Sequence, residues 1–101
     1  MLKKQYVKSR GVCKVTFTLP SNVDAESASV LGDFNHWDPA TNPMQKMKTT
    51  GEWRAVVELQ PNQSYQFRYY VNGAEWYNDD AADGSQTNEH GSENSVVVTS
   101  I

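Results

Sequence analysis

The chain has 101 residues, enough for one domain whose compact core hides roughly two-thirds of the unfolded surface. Its formal net charge of −3, nine Lys and Arg against twelve Asp and Glu, argues against nucleic acid and against an anionic membrane surface as partners. One cysteine and two histidines cannot make an internal disulfide and fall short of the four ligands of a structural zinc site, so no metal or cofactor is expected.

Residues 1–11, MLKKQYVKSRG, carry lysines but no apolar run after them. They read as an N-terminal extension and not as a signal peptide. No stretch approaches the roughly 20 apolar residues of a membrane span, and the expected location is the cytoplasm. Cys13, Val15, Phe17 and Leu19 then alternate with Lys14, Thr16 and Thr18, the period of a half-buried strand, ending at Pro20. That phase makes Cys13 a buried, inert thiol. Asn22 to Ser27 is polar and reads as a loop, and Ala28 to Leu31 is a short strand ending at Gly32. Residues 33–50 read as irregular, because Pro39 and Pro43 disfavour ladders; Met44 and Met47 reach the core from there through a short edge strand.

Trp53, Ala55, Val57 and Leu59 alternate with Arg54, Val56 and Glu58. After a turn at Pro61-Asn62, Tyr65, Phe67, Tyr69 and Val71 alternate with Gln66, Arg68 and Tyr70. Asn72-Gly73 is a strong hairpin signal, since both residues accept positive φ, and residues 74–77 form the return strand. Residues 78–93 read as a long polar loop, with Asp79, Asp80 and Asp83 as a solvated acidic run. The valine-rich segment Ser95 to Thr99 is the last strand.

Short strands at this spacing predict an all-β fold, an immunoglobulin-like antiparallel β-sandwich of about seven strands, with its core in residues 12–99. Phase puts Phe17, Trp53, Tyr65, Phe67 and Tyr69 inward, and Arg68 and Tyr70 outward. Trp37 follows a strand in a loop that Phe34 anchors from below. Trp76 follows the Asn-Gly hairpin. Each outward residue also has a plain structural reading: either tryptophan as a cap or cross-strand partner, Arg68 as a plain solvated charge or the ion-pair partner of Glu58 or Glu75, Asn94 as a turn residue bonding its own backbone.

The segments VLGDFNHWDP (30–39), YQFRYYVNGAEWYND (65–79) and GSENSVVV (91–98) resemble, in that order, the glycogen- and starch-binding modules of carbohydrate-binding module family 48. These modules, also called isoamylase N-terminal or early-set domains, accompany the catalytic barrels of glycogen branching and debranching enzymes and occur in the β subunit of AMP-activated protein kinase. The resemblance runs from about Val12 to Thr99 and is nearest to small stand-alone bacterial members. It implies the early-set sandwich and the binding of α-1,4-linked glucans on an open surface. Matched to the kinase modules, Trp37 and Trp76 fall on the two tryptophans that stack on sugar, and Arg68 on the basic residue. Ser92 falls on a threonine, Asn94 on an asparagine, and His90 where those modules carry leucine.

The chemistry suits that ligand. A glucose ring has an apolar C–H face for an indole to cover and a rim of hydroxyls for a guanidinium fork and a carboxamide. Each such bond nets about 0.5–1.5 kcal/mol, so a dissociation constant of roughly micromolar to millimolar order follows. Glycoside hydrolysis needs two carboxylates held across the bond, whereas the acids here fall mostly in turns and loops. The resemblance also leaves catalysis to a separate barrel. The expected function is therefore non-catalytic glucan binding that targets or regulates glycogen metabolism, with a glycogen-metabolising enzyme as a candidate partner. The alternative is an early-set protein-interaction module without significant sugar binding.

Overall fold

The computed structural model describes residues 2–19 and 23–100; Pro20 and Asn22, a predicted strand end and loop start, lie outside the described residues. Alternation of apolar and polar side chains builds two antiparallel sheets. The first has the order β1 (Leu2–Val7), β2 (Val12–Thr18), β5 (Trp53–Leu59), β4 (Gln45–Lys46). The second has the order β3 (Ala28–Gly32), β6 (Ser64–Val71), β9 (Glu93–Val98), β8 (Gly84–Thr87), with β7 (Glu75–Tyr77) also against β6. No helix is present among the described residues. β6 is the hub: β3 runs along one edge, while β9 pairs with Ser64–Phe67 and β7 with Tyr69–Val71 on the other.

The predicted phases hold at the centre. Phe17, Phe67 and Tyr69 are fully buried, and Trp53 and Tyr65 are half-buried against the same cluster. Phe17 lies 5.5 Å from Phe34 and 4.9 Å from Phe67, ring centre to ring centre. Val15, Val30, Val71 and Val97 fill the space between the sheets, each side chain contributing about 1.5–3 kcal/mol by leaving water. Cys13 is buried, as is Met44, which enters just before β4.

Three segments differ from expectation. Residues 2–7 are not an extension but β1, in register with β2 from Leu2 opposite Phe17 to Val7 opposite Val12. Its Lys3, Lys4 and Gln5 hid it, although charged side chains are what an edge strand carries to prevent further pairing. Residues 84–87 form β8, whose GSQT has no apolar phase; the ladder with β9 defines it. The acidic run is not uniformly solvated. Asp79 is buried and accepts from the Tyr69 hydroxyl at 2.6 Å, while Asp83 accepts from Lys4 at 2.6 Å and from the Val98 amide at 2.7 Å. Burial, and next the hydrogen bond to Asp79, hold the Tyr69 phenol well above its usual range.

The Asn72-Gly73 hairpin forms as its residues dictate, with φ of 55° and 67°. The Asn72 carboxamide oxygen also accepts from the amides of Glu26 at 2.7 Å and Ser27 at 3.2 Å. The hairpin is thereby fixed to the segment that enters β3, and the strand that follows it is held in place.

Candidate functional site

The outward face of the second sheet carries Gln66, Arg68 and Tyr70 from β6, Trp76 from β7 and Asn94 and Val96 from β9, as the cross-strand pairs require. Two loops rise beside it, residues 33–42 and 88–92. Together they border a groove of about 380 Å³ lined by Asp33, Trp37, Gln66, Arg68, Trp76, Asn88, Glu89, His90 and Asn94.

The first loop follows from GDFNHW. Gly32 must be glycine: a Cβ there would lie 2.5 Å from the Gln66 carbonyl and 2.7 Å from the Phe34 ring. Phe34 plugs into the sandwich against Phe17 and Tyr65. Asn35 is the clamp. Its side chain is buried, accepts from the Gly32 amide and donates to the Val30 carbonyl, both at 3.0 Å, and donates to Asn42 at 2.8 Å. His36 and Trp37 both take positive φ, 56° and 58°. For a tryptophan this is strained backbone, of order 1–3 kcal/mol, held by its surroundings. The Trp37 amide donates to the Gly32 carbonyl at 3.1 Å, and its indole N–H donates to Asp33 Oδ1 at 3.2 Å. Asp33 Oδ2 in turn accepts from the Gln66 amide at 2.8 Å. Trp37 is thus tied to β6 through one carboxylate.

Trp76 is presented by cross-strand packing. It stands opposite Tyr70, with ring centres 4.6 Å apart and a 42° tilt, and the Tyr70 hydroxyl donates to the Gly73 carbonyl at 2.5 Å. Tyr70 props the indole, yet Trp76 stays 47% exposed. Arg68 lies on the same strand face. One terminal nitrogen donates to the Glu93 carbonyl at 2.6 Å, while its buried Nε has no partner among the described residues. Glu58 pairs with Arg10, and Glu75 accepts from the Tyr77 hydroxyl, so neither takes up Arg68. An open indole beside an oriented guanidinium with spare donors can cover a flat apolar ring and bond its hydroxyl rim.

The far wall is organised by Asn88. Its carboxamide oxygen accepts from the amides of His90 at 2.9 Å and Ser92 at 3.1 Å, a turn that leaves Glu89 and His90 exposed on the rim. Asn94 is buried beneath, donating to Gln66 Oε1 at 3.0 Å and accepting from Asn88 at 3.4 Å.

Residues 7–89 match the family carbohydrate-binding module 48, the isoamylase N-terminal domain. The chain belongs to this family. Among the relatives of this carbohydrate-binding module are 1,4-alpha-glucan branching enzymes. That of Nitrosomonas eutropha is 34% identical over 76 residues, 72% of this chain and 10% of the enzyme. That of Protochlamydia amoebophila is 40% identical over 53 residues, 52% of this chain and 7% of the enzyme. That of Picrophilus torridus is 34% identical over 62 residues, 60% of this chain and 8% of the enzyme. The module therefore spans about a tenth or less of the length of these relatives.

Of the six residues singled out in its sequence, Trp37, Arg68, Trp76, His90 and Asn94 line the groove. Ser92 does not; its amide and carbonyl close the Asn88 turn. Asp33, Gln66, Asn88 and Glu89 line the groove without having been singled out. Gln66 was within reach, being two residues from Arg68 on the same strand phase. Asp33 shows its role only through its hydrogen bond to Gln66 across the fold, and Asn88 only through the turn it closes.

Proposed function

We propose that the groove binds α-1,4-linked glucan without catalysing its breakage, and that the chain thereby brings itself or a partner enzyme to glycogen or starch in the cytoplasm. The observation that carries this reading is the convergence of Trp37 and Trp76, from a loop and a strand 39 positions apart, on one groove with Arg68. The indoles stack on sugar faces; the terminal nitrogens of Arg68 and the carboxamides of Gln66 and Asn88 meet hydroxyls. Asn94 acts mainly from beneath, by holding Gln66 and Asn88. Strain stored at His36 and Trp37 supports the assignment, since such backbone clusters at binding sites. Both oxygens of Asp33 are used to hold the Trp37 indole and the Gln66 amide, a positioning role for that carboxylate.

Titration with maltoheptaose, followed by tryptophan fluorescence and amide NMR shifts, tests the reading. Shifts are expected around residues 33–37, 66–70, 76 and 88–94. Trp37→Ala and Trp76→Ala should each weaken binding by roughly tenfold or more, about 1.4 kcal/mol, in line with the loss of an aromatic contact and its buried area. Shifts scattered over the surface, or indifferent to both substitutions, would return the chain to the interaction-module alternative, which the exposed His90 at the leucine position favours.

A further inference from the structure

The charges are sorted by sheet. Residues 2–18 and 45–59, the first sheet and its turns, hold every Lys and Arg of the chain except Arg68, and of the Asp and Glu only Glu52 and Glu58. Those two acids are already taken, Glu52 by Arg54 and Glu58 by Arg10. Lys4 is paired with Asp83 of the other sheet. Lys3, Lys8, Lys14, Lys46 and Lys48 form no ion pair among the described residues. Of these, Lys3 and Lys14 share the outward phase of the first sheet with Thr16, whereas Lys46 stands opposite the inward-phase Trp53 and Lys8 and Lys48 lie in turns, so two unpaired cations mark the sheet face directed away from the groove.

The face is also shaped. Thr16 and Val56 stand opposite each other on β2 and β5, and Val56 is 50% exposed at the middle of a polar surface. A groove of about 190 Å³ on one side of this pair is lined by Lys3, Lys4, Gln5 and Lys14, and one of about 480 Å³ on the other side includes Met47 and Arg54. An apolar centre within a charged rim is the anatomy of a protein interface. Like charges left unpaired on one face steer an oppositely charged partner and disfavour others.

We propose that the outer face of the first sheet docks an acidic protein surface, centred on Val56 and rimmed by Lys3 and Lys14, while the glucan groove on the opposite sheet stays free. The site does not depend on the glucan reading.

The test uses a synthetic peptide of repeated Glu-Glu-Leu and an all-Glu peptide of equal charge, titrated into labelled protein at low salt. The Leu-containing peptide should shift amides of β2 and β5, bind several-fold more tightly than the all-Glu peptide, and do so equally with maltoheptaose present. Lys3→Glu with Lys14→Glu should weaken it at least tenfold, and Val56→Ser should abolish its advantage over all-Glu. Shifts centred on Trp37 and Trp76, equal binding of both peptides, or indifference to the lysine changes would overturn the proposal. So would self-association on sedimentation that Lys14→Glu abolishes, which would assign the face to the acidic sheet of a second copy.

Discussion

At the scale of single residues, the groove depends on side chains that never face a ligand. Asn35 satisfies the Gly32 amide and the Val30 carbonyl and so holds the loop that aims Trp37. Asn35→Ala leaves both groups without that partner, at a cost of about 2–4 kcal/mol, read as a lower midpoint in urea unfolding. It should also weaken maltoheptaose by roughly tenfold, because the loosened loop must be reordered on binding. Gly32→Ala acts by crowding. The added methyl meets a backbone carbonyl that cannot swing aside, so about 1–3 kcal/mol should be lost although the change adds a single carbon. The Phe34–Phe17 contact predicts the same trend for Phe34→Ala, with binding and stability falling together.

At the scale of elements, β6 and the hairpin after it set the platform. Gly73→Ala puts a Cβ on a residue at φ 67° and should cost about 1–2 kcal/mol. Because β7 has only three residues, the loss should appear first as faster amide exchange in Glu75–Tyr77, next to Trp76. This region also marks how far the sequence could be read. Strands with a clean period of two, β2, β5 and β6, were legible because one face is buried along their whole length. β1 and β8 were not. Their side chains are mostly exposed, so no period is written in them, and only pairing with β2 and β9 makes them strands. The same division holds in the groove. Trp37 and Trp76 stand out as large apolar residues beside turn signals, whereas Asp33 looks like an ordinary loop residue until its hydrogen bond to the distant Gln66 amide is seen, and Asn88 until the turn it closes is seen. Asp79 follows the same rule: its polar stretch predicts solvation, and the partner that buries it, Tyr69, lies ten residues earlier on β6.

At the scale of the whole molecule, two properties of the sandwich respond to solvent in predictable directions. The first is alkaline stability. Native Tyr69 keeps its proton well above the usual tyrosine value near 10, because of burial and then Asp79, while in the unfolded chain it releases it there. Above pH 10 the folded state therefore binds more protons than the unfolded one. Stability contributed by this group is complete below that pH and declines as pH rises, by up to about 1.4 kcal/mol per unit. Urea midpoints measured from pH 9 to 11.5 should fall less steeply in Tyr69→Phe, which starts less stable because the Tyr69–Asp79 hydrogen bond is lost. The second property is the separation of the two faces by salt. A glucan is uncharged, and the contacts proposed for it with Trp37 and Trp76 are stacking, so raising NaCl from 50 to 500 mM should change maltoheptaose affinity less than twofold. Over the same range the Debye length contracts from roughly 14 to 4 Å, and attraction to the unpaired lysines of the first sheet should collapse. Measured on one sample, a flat salt response for the sugar beside a steep one for the acidic peptide would distinguish a stacking surface from an electrostatic one. A steep response for the sugar would mean that charge, and not the tryptophans, governs the groove.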